Sequence, residues 1–205
     1  MTADWRTVLD TALLFIVLVN PASKVALLVA LTEQHRPEEL ARVAWRASVV
    51  GLILLGVFAV AGGWVLRYLF HVELYALDVA AGAVLFLVGL ATLKEGVFYA
   101  LPPGGSLADV SIVPLASPLI AGPATLSAAI TQAQRFGTAT VLVAIVVAVC
   151  VNLAAMLVGV KVAKSLTRSH TLAALVRILG LFIASIGANM FLAGIRVWFG
   201  QLPAR

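Results

Sequence analysis

The sequence predicts an all-α integral membrane protein. It would have six transmembrane helices in two inverted three-helix repeats, with the first helix of each repeat broken at proline. Three observations carry this prediction. The chain is 62% hydrophobic and 11% charged, with a mean hydropathy of +1.10, which leaves too little polar surface to cover a soluble core. Apolar runs long enough to cross a bilayer recur along its 205 residues. The glycines and prolines of the first half also return in the second half at a nearly constant offset.

The first apolar segment runs from about Leu9 to Thr32 and contains Pro21 and one charge, Lys24. Its N-terminal flank, "MTADWRTVLD", has no basic region and no small-residue cleavage site follows, so it reads as a retained span rather than a signal peptide. The second segment, Ala47 to Leu66, carries no charge, and the third, about Leu74 to Leu93, has only Asp78 near its start. The fourth, about Val110 to Thr131, contains "VPLASPLIAGPATLSAAI". The fifth spans about Thr138 to Val160 and the sixth about Val176 to Ile195. At 1.5 Å of rise per residue, each covers a hydrocarbon core of roughly 30 Å. No ten-residue alternation of apolar and polar residues points to barrel strands.

The odd connections hold eight basic residues: Arg36, Arg42, Arg46, Lys94, Lys161, Lys164, Arg168 and Arg177. The opposite side holds five: Arg6, Arg67, Arg135, Arg196 and Arg205. This bias places the odd connections in the cytoplasm and both termini outside. The net charge of +5 is thus an orientation signal, and a nucleic-acid partner is not expected.

A shift of 97 residues carries Asn20-Pro21 onto Ser117-Pro118 and Gly62 onto Gly159. A shift of 98 carries Gly82, Gly89 and Gly96 onto Gly180, Gly187 and Gly194. The chain therefore reads as one membrane domain, residues 1–205, built from a repeat over 9–96 and a second over 110–195. Three spans per half force the second half to enter from the opposite side. Inverted repeats of this kind place solute sites near the midplane, where paired helices are interrupted.

Proline removes a backbone donor and clashes with the carbonyl four residues back, and in lipid the freed groups need other partners. Pro114, Pro118 and Pro123, with Gly122 beside the last, preclude one continuous helix, and Ser117, Thr125 and Ser127 offer hydroxyls. The helix restarting near Pro123 would aim its first N–H groups inward, toward a carboxylate or another anion. A purely structural kink is the plainer reading of any one proline. The second interruption, "VNPASKVALL", favours a binding role for both, with Asn20, Pro21, Ser23, Lys24, Ser117, Pro118, Gly122, Pro123 and Thr125 as the substrate-binding candidates.

Lys24 has two readings, facing a cavity or snorkelling toward the cytoplasmic end of its helix. Asn152 and Asn189, near the middles of the fifth and sixth segments, read either as interhelical hydrogen-bond glue or as lining of the same site. Asp78 and Glu95 fall near helix ends, where interfacial solvation accounts for them. The heptad glycines Gly82, Gly89, Gly96, Gly180, Gly187 and Gly194 would let the third and sixth helices approach closely. No metal site is expected, because His35, His71 and His170 all lie in connections, and the single Cys150 excludes an internal disulfide. No catalytic constellation appears, since Ser23 has no histidine partner and no phosphate-binding loop follows a strand.

These motifs resemble the MarC family of bacterial inner-membrane proteins, also called the neutral amino-acid transporter family. The resemblance runs from about Leu14 to Val197, through "VPLASPLIAGPATLSAAI", "VNPASKVALLVALT" and "RILGLFIASIGANMFLAGI". It departs from the family pattern at Ala26, where a second proline is usual, at Ser23 and Ala124, where glycines are usual, and at Lys24. The resemblance implies a six-helix inner-membrane transporter of small neutral amino acids such as glycine and alanine. No cofactor is expected beyond coupling to a proton or sodium gradient, and six short spans leave room for a homodimer. The competing expectation is a lipid-carrier flippase or a membrane scaffold without solute flux. A closed polar pocket would favour solute, a groove open to the bilayer would favour lipid, and a dry centre a scaffold.

Overall fold

Proline placement decides where the first helix stops. In the computed structural model, which describes residues 4–32, 35–69, 71–95, 120–163 and 171–200, α1 spans Trp5–Val19 and α2 spans Pro21–Leu31. Asn20, between them, adopts φ 50° and ψ 78°. Asparagine is one of the few non-glycine residues that enters this left-handed region readily. Pro21 follows at the first helical position of α2, where its missing N–H costs least.

The remaining elements are α3 (Pro37–Trp64) with a π-helical turn (Val65–Leu69), α4 (Leu74–Glu95), α5 (Pro123–Phe136), α6 (Thr138–Lys161) and α7 (Thr171–Gly200). Five spans among the described residues are long and apolar enough to cross a membrane, with α1 and α2 forming one of them. The fourth expected segment is only partly described, because residues before Ile120 lie outside the described set. Its described portion, α5, runs past the expected end at Thr131 as far as Phe136. The polar stretch Thr131 to Arg135 looked like a connection, yet it continues the helix, because its polar side chains have a cavity to face.

Two groups of helices emerge. In the first, α6 is the hub and packs on α1, α2, α3 and α5. Its buried stripe, Val141, Ala144, Ile145, Ala148, Val149, Asn152, Met156 and Gly159, recurs at the three-and-four spacing of one helix face. The opposite face exposes Val143, Val147, Val151 and Val158, as suits a surface against lipid. The second group is the pair α4–α7, which joins the bundle mainly through α4 on α5 and α7 on α2.

The α4–α7 pair is antiparallel, and its backbones touch. A Cβ added to Gly82 would stand 2.7 Å from the Gly187 carbonyl oxygen and 2.5 Å from the Phe191 nitrogen. One on Gly180 would meet the Gly89 carbonyl oxygen at 2.9 Å and the Leu93 nitrogen at 2.7 Å. Gly89 abuts Ala184 and Gly180, Gly187 abuts Phe86 and Gly82, and Gly194 lies on Tyr75 and Val79. At these five glycines the partner helix leaves no room for a Cβ; Gly96 lies outside the described residues. Each contact of Gly82 and Gly89 has a counterpart on Gly180 and Gly187 when the numbers are moved by 98.

Exposed Trp5, Trp64 and Trp198 mark one end of the molecule, and exposed Trp45 marks the other. The rise from Trp45 to Trp64 is about 28 Å, close to the thickness of a hydrocarbon core. Tryptophan at both rims is the usual interfacial belt. The chain is a multi-pass membrane protein.

Because α4 and α7 meet at backbone atoms, a methyl group there cannot be absorbed by side-chain rotation. Gly89→Ala and Gly187→Ala should each destabilise the detergent-solubilised protein by about 1–3 kcal/mol in a thermal melt. At Gly56 an added Cβ meets only Leu142 at 3.8 Å, so Gly56→Ala should melt near the wild type. Equal melts for all three variants would show that the seam is not backbone-tight.

Candidate functional site at two helix breaks and a polar cavity

The first break is buried in protein. Asn20, Ser23 and Lys24 are 4%, 2% and 0% exposed. Pro21 has no N–H to offer the Val17 carbonyl, and the Asn20 N–H bonds Ile16 O at 2.9 Å. The Asn20 carbonyl accepts from the Ser23 hydroxyl at 2.8 Å and from Lys24 Nζ at 3.4 Å. Of the two readings of Lys24, snorkelling is thereby excluded: its ammonium folds back onto the break. An isolated buried ammonium is costly, and a single long carbonyl contact compensates it only in part.

The second break leads into α5. Gly122 precedes Pro123 in extended conformation, again with proline at the first helical position. Thr125 is buried, and its hydroxyl lies 2.9 Å from the carbonyl oxygens of both Ile120 and Gly122, sharing its proton between them. Ile120 packs onto Gly51 of α3. Neither α2 nor α5 has a side chain capping its first turn. Ser117 and Pro118 lie outside the described residues.

Asn152 of α6 is fully buried, and neither its Oδ1 nor its Nδ2 has a hydrogen-bond partner. Gly159 of the same helix seats Val25 of α2. Asn152 lies two turns earlier, about 10 Å along the axis. Since α1 and α2 both pack along α6, this register brings Asn152 level with the Asn20 break. The glue reading requires an interhelical partner, and among the described residues Asn152 has none. An unpartnered amide so deep is a group that calls for explanation.

A separate cavity of about 190 Å³ opens where α1 and α5 meet the α4–α7 pair. Asp78 of α4, Thr131, Gln132 and Arg135 of α5, and Asn189 of α7 supply its polar lining. On α1 it reaches Leu18, two residues short of the Asn20 break. Asp78 is half-buried, and Oδ1 accepts from the Ser127 hydroxyl of α5 at 2.6 Å. Ser127, far away in sequence, holds the Asp78 carboxylate at the cavity wall, one turn from the start of α4. Gln132 Oε1 is buried and unpartnered. Of the described substrate-binding candidates Asn189 lines this cavity, as does Asp78, which was read from sequence as a helix-end residue.

Thr131, Gln132 and Arg135 were not read as site residues because they stand at or beyond the end of the apolar run. Their signal was the spacing Ala128, Thr131, Gln132, Arg135, one face of a continuing helix. Asp78 had a signal too, as the lone acid inside its apolar segment. No cluster of three or more metal-ligating side chains occurs among the described residues.

Comparison with known proteins bears on what this arrangement belongs to. The model of the MarC family integral membrane protein matches residues 5–199. A UPF0056 membrane protein of Pyrococcus horikoshii is 36% identical, over 92% of this chain and 93% of its own length. A UPF0056 membrane protein of Methanocaldococcus jannaschii is 28% identical over 87% and 91%. The UPF0056 membrane protein YvbG of Bacillus subtilis is 26% identical over 90% and 92%. No solved structure matches. With the family pattern running from the start of α1 to the end of α7, the chain belongs to the MarC family of integral membrane proteins.

Proposed function

We propose that this protein is a secondary transporter of small neutral amino acids, working by alternating access and driven by a proton or sodium gradient. It would lie in the plasma membrane with both termini on the outer side. The observation that carries the reading is the pair of buried proline breaks, α1–α2 and the start of α5, with the unpartnered Asn152 level with the first. Irregular backbone at this depth is tolerated where protein or a polar cavity satisfies it, and transporters use such interruptions to hold solute. The cavity of about 190 Å³, with a few polar groups on an otherwise apolar wall, suits a small solute, whereas the apolar groove of Phe86, Leu87, Phe191 and Leu192 on the α4–α7 pair is the surface a lipid chain would use. The carboxylate would meet the uncapped first turns of α2 and α5, and the ammonium the exposed carbonyls with Asn20 or Asn152.

The reciprocal contacts of Gly82 and Gly89 with Gly187 and Gly180 support two inverted repeats. They also constrain the motion. The seam joins the last helix of one half to the last helix of the other, so the halves cannot separate there. The moving parts are instead the α4–α7 pair and the bundle of α1, α2, α3, α5 and α6, whose meeting surface contains the polar cavity.

Purified protein in liposomes should accumulate labelled glycine or alanine under an imposed proton or sodium gradient. If no small neutral amino acid moves, the assignment fails. Asn152→Leu is the sharper variant. Replacing an unpartnered buried amide by an apolar group of similar shape should stabilise the fold by about 1–3 kcal/mol while abolishing flux. If Asn152→Leu lowers the melting temperature and leaves flux intact, Asn152 is packing material only.

A further inference from the structure

The cavity at the junction of the α4–α7 pair with the bundle brings opposite charges within electrostatic reach of each other, with Arg135 exposed at its rim, but without direct contact. Asp78 projects from the α4–α7 pair and Arg135 from the bundle, and among the described residues no ion pair joins them. The Ser127 hydroxyl occupies Asp78 Oδ1, which leaves Oδ2 available. Beside them Gln132 Oε1, buried and unpartnered, is an acceptor without a donor, and Asn189 offers an amide from α7. The four groups come from both sides of the junction: Asp78 and Asn189 from the pair, Gln132 and Arg135 from the bundle.

The geometry points to this cavity as the recognition site for the zwitterionic headgroup of the transported amino acid, outside the Asn20 break. The ammonium binds Asp78 and Gln132 Oε1, and the carboxylate binds Arg135 and the Asn189 amide. Three donors of an ammonium match one free carboxylate oxygen and one amide oxygen, and a guanidinium fork matches a carboxylate. The cavity of about 190 Å³ sets the limit on the side chain, so small residues enter and large aromatic ones do not. A ligand held this way ties the pair to the bundle, so that binding itself draws the two bodies together. Leu18, at the inner end of the cavity, leaves one short step to the break.

This inference rests on the amino-acid transport reading and deepens it. The test uses the full-length protein in detergent micelles, with labelled alanine and two truncated analogues: ethylamine, which lacks the carboxylate, and propionate, which lacks the ammonium. Wild type should bind alanine and neither analogue. Asp78→Asn and Arg135→Gln should each weaken alanine binding by about tenfold or more, the cost of losing a hydrogen bond to a charged group. Arg135→Lys should recover part of the loss. A readout that does not depend on those variants folding well is cysteine protection. In a Cys150→Ser background, Ala193→Cys at the cavity wall should react with a thiol reagent more slowly when alanine is present, and no more slowly with ethylamine or propionate. Wild-type binding of alanine that survives both charge-removing variants, or no protection at Ala193→Cys, overturns the cavity as the recognition site and leaves transport standing. Failure of the wild type to bind or move any small amino acid overturns both.

Discussion

Every peptide group inside a bilayer needs a partner within the protein, and this constraint governs the whole molecule. Two of its helices violate the simplest way of meeting it. Pro21 and Pro123 each begin a helix at membrane depth, and the backbone before each is turned out of helical register. The surrounding structure answers with side chains that carry their own donors. Ser23 and Lys24 fold back onto the Asn20 carbonyl, and Thr125 onto the carbonyls of Ile120 and of Gly122, the latter also bonded by the Leu126 N–H. The bundle around α6 then encloses the described backbone of both breaks, Asn20 and Ile120 to Gly122, which is buried in protein.

The same constraint explains why the α4–α7 pair is built differently. It has no break, and its glycines let two regular helices meet at their backbones. Such a pair is stiff, whereas its junction with the bundle contains a cavity rather than a tight seam. Stiffness within each body and a polar gap between them are what two-state rocking requires. Besides Ser48 Oγ of α3, two side chains among the described residues hold buried polar atoms without a partner. Asn152 lies at the level of the break and Gln132 at the gap, and both are stable only if something else, water or solute, visits them.

Much of this was legible in the sequence, for physical reasons that differ by residue. Asn20-Pro21 announces a break because proline has no N–H and asparagine accepts the left-handed region. The heptad glycines announce a close helix pair because their spacing keeps them on one face. Neither inference needs a partner to be known. For Asp78 the sequence offered only a position near a helix end, which does not reveal which neighbour faces it, and Ser127 is supplied by another helix. The end of α5 was cut short for a related reason. Gln132 and Arg135 look like the start of a connection until the cavity they line is known. Lys24 left two readings open, and its contact with the Asn20 carbonyl turns it away from the cytoplasmic end of its helix without placing it in a described cavity.

The central claim is that the α4–α7 pair moves as one body against the bundle when an amino acid binds between them. Distances between spin labels measure this directly. One pair of labels would sit on exposed Val60 of α3 and exposed Leu192 of α7, across the junction, and a second on exposed Leu87 and Leu181, within the pair. Alanine should shift the Val60–Leu192 distribution by several ångströms and leave the Leu87–Leu181 distribution unchanged. A Val60–Leu192 distance that is single and indifferent to alanine, or a Leu87–Leu181 distance that changes with it, would contradict the account.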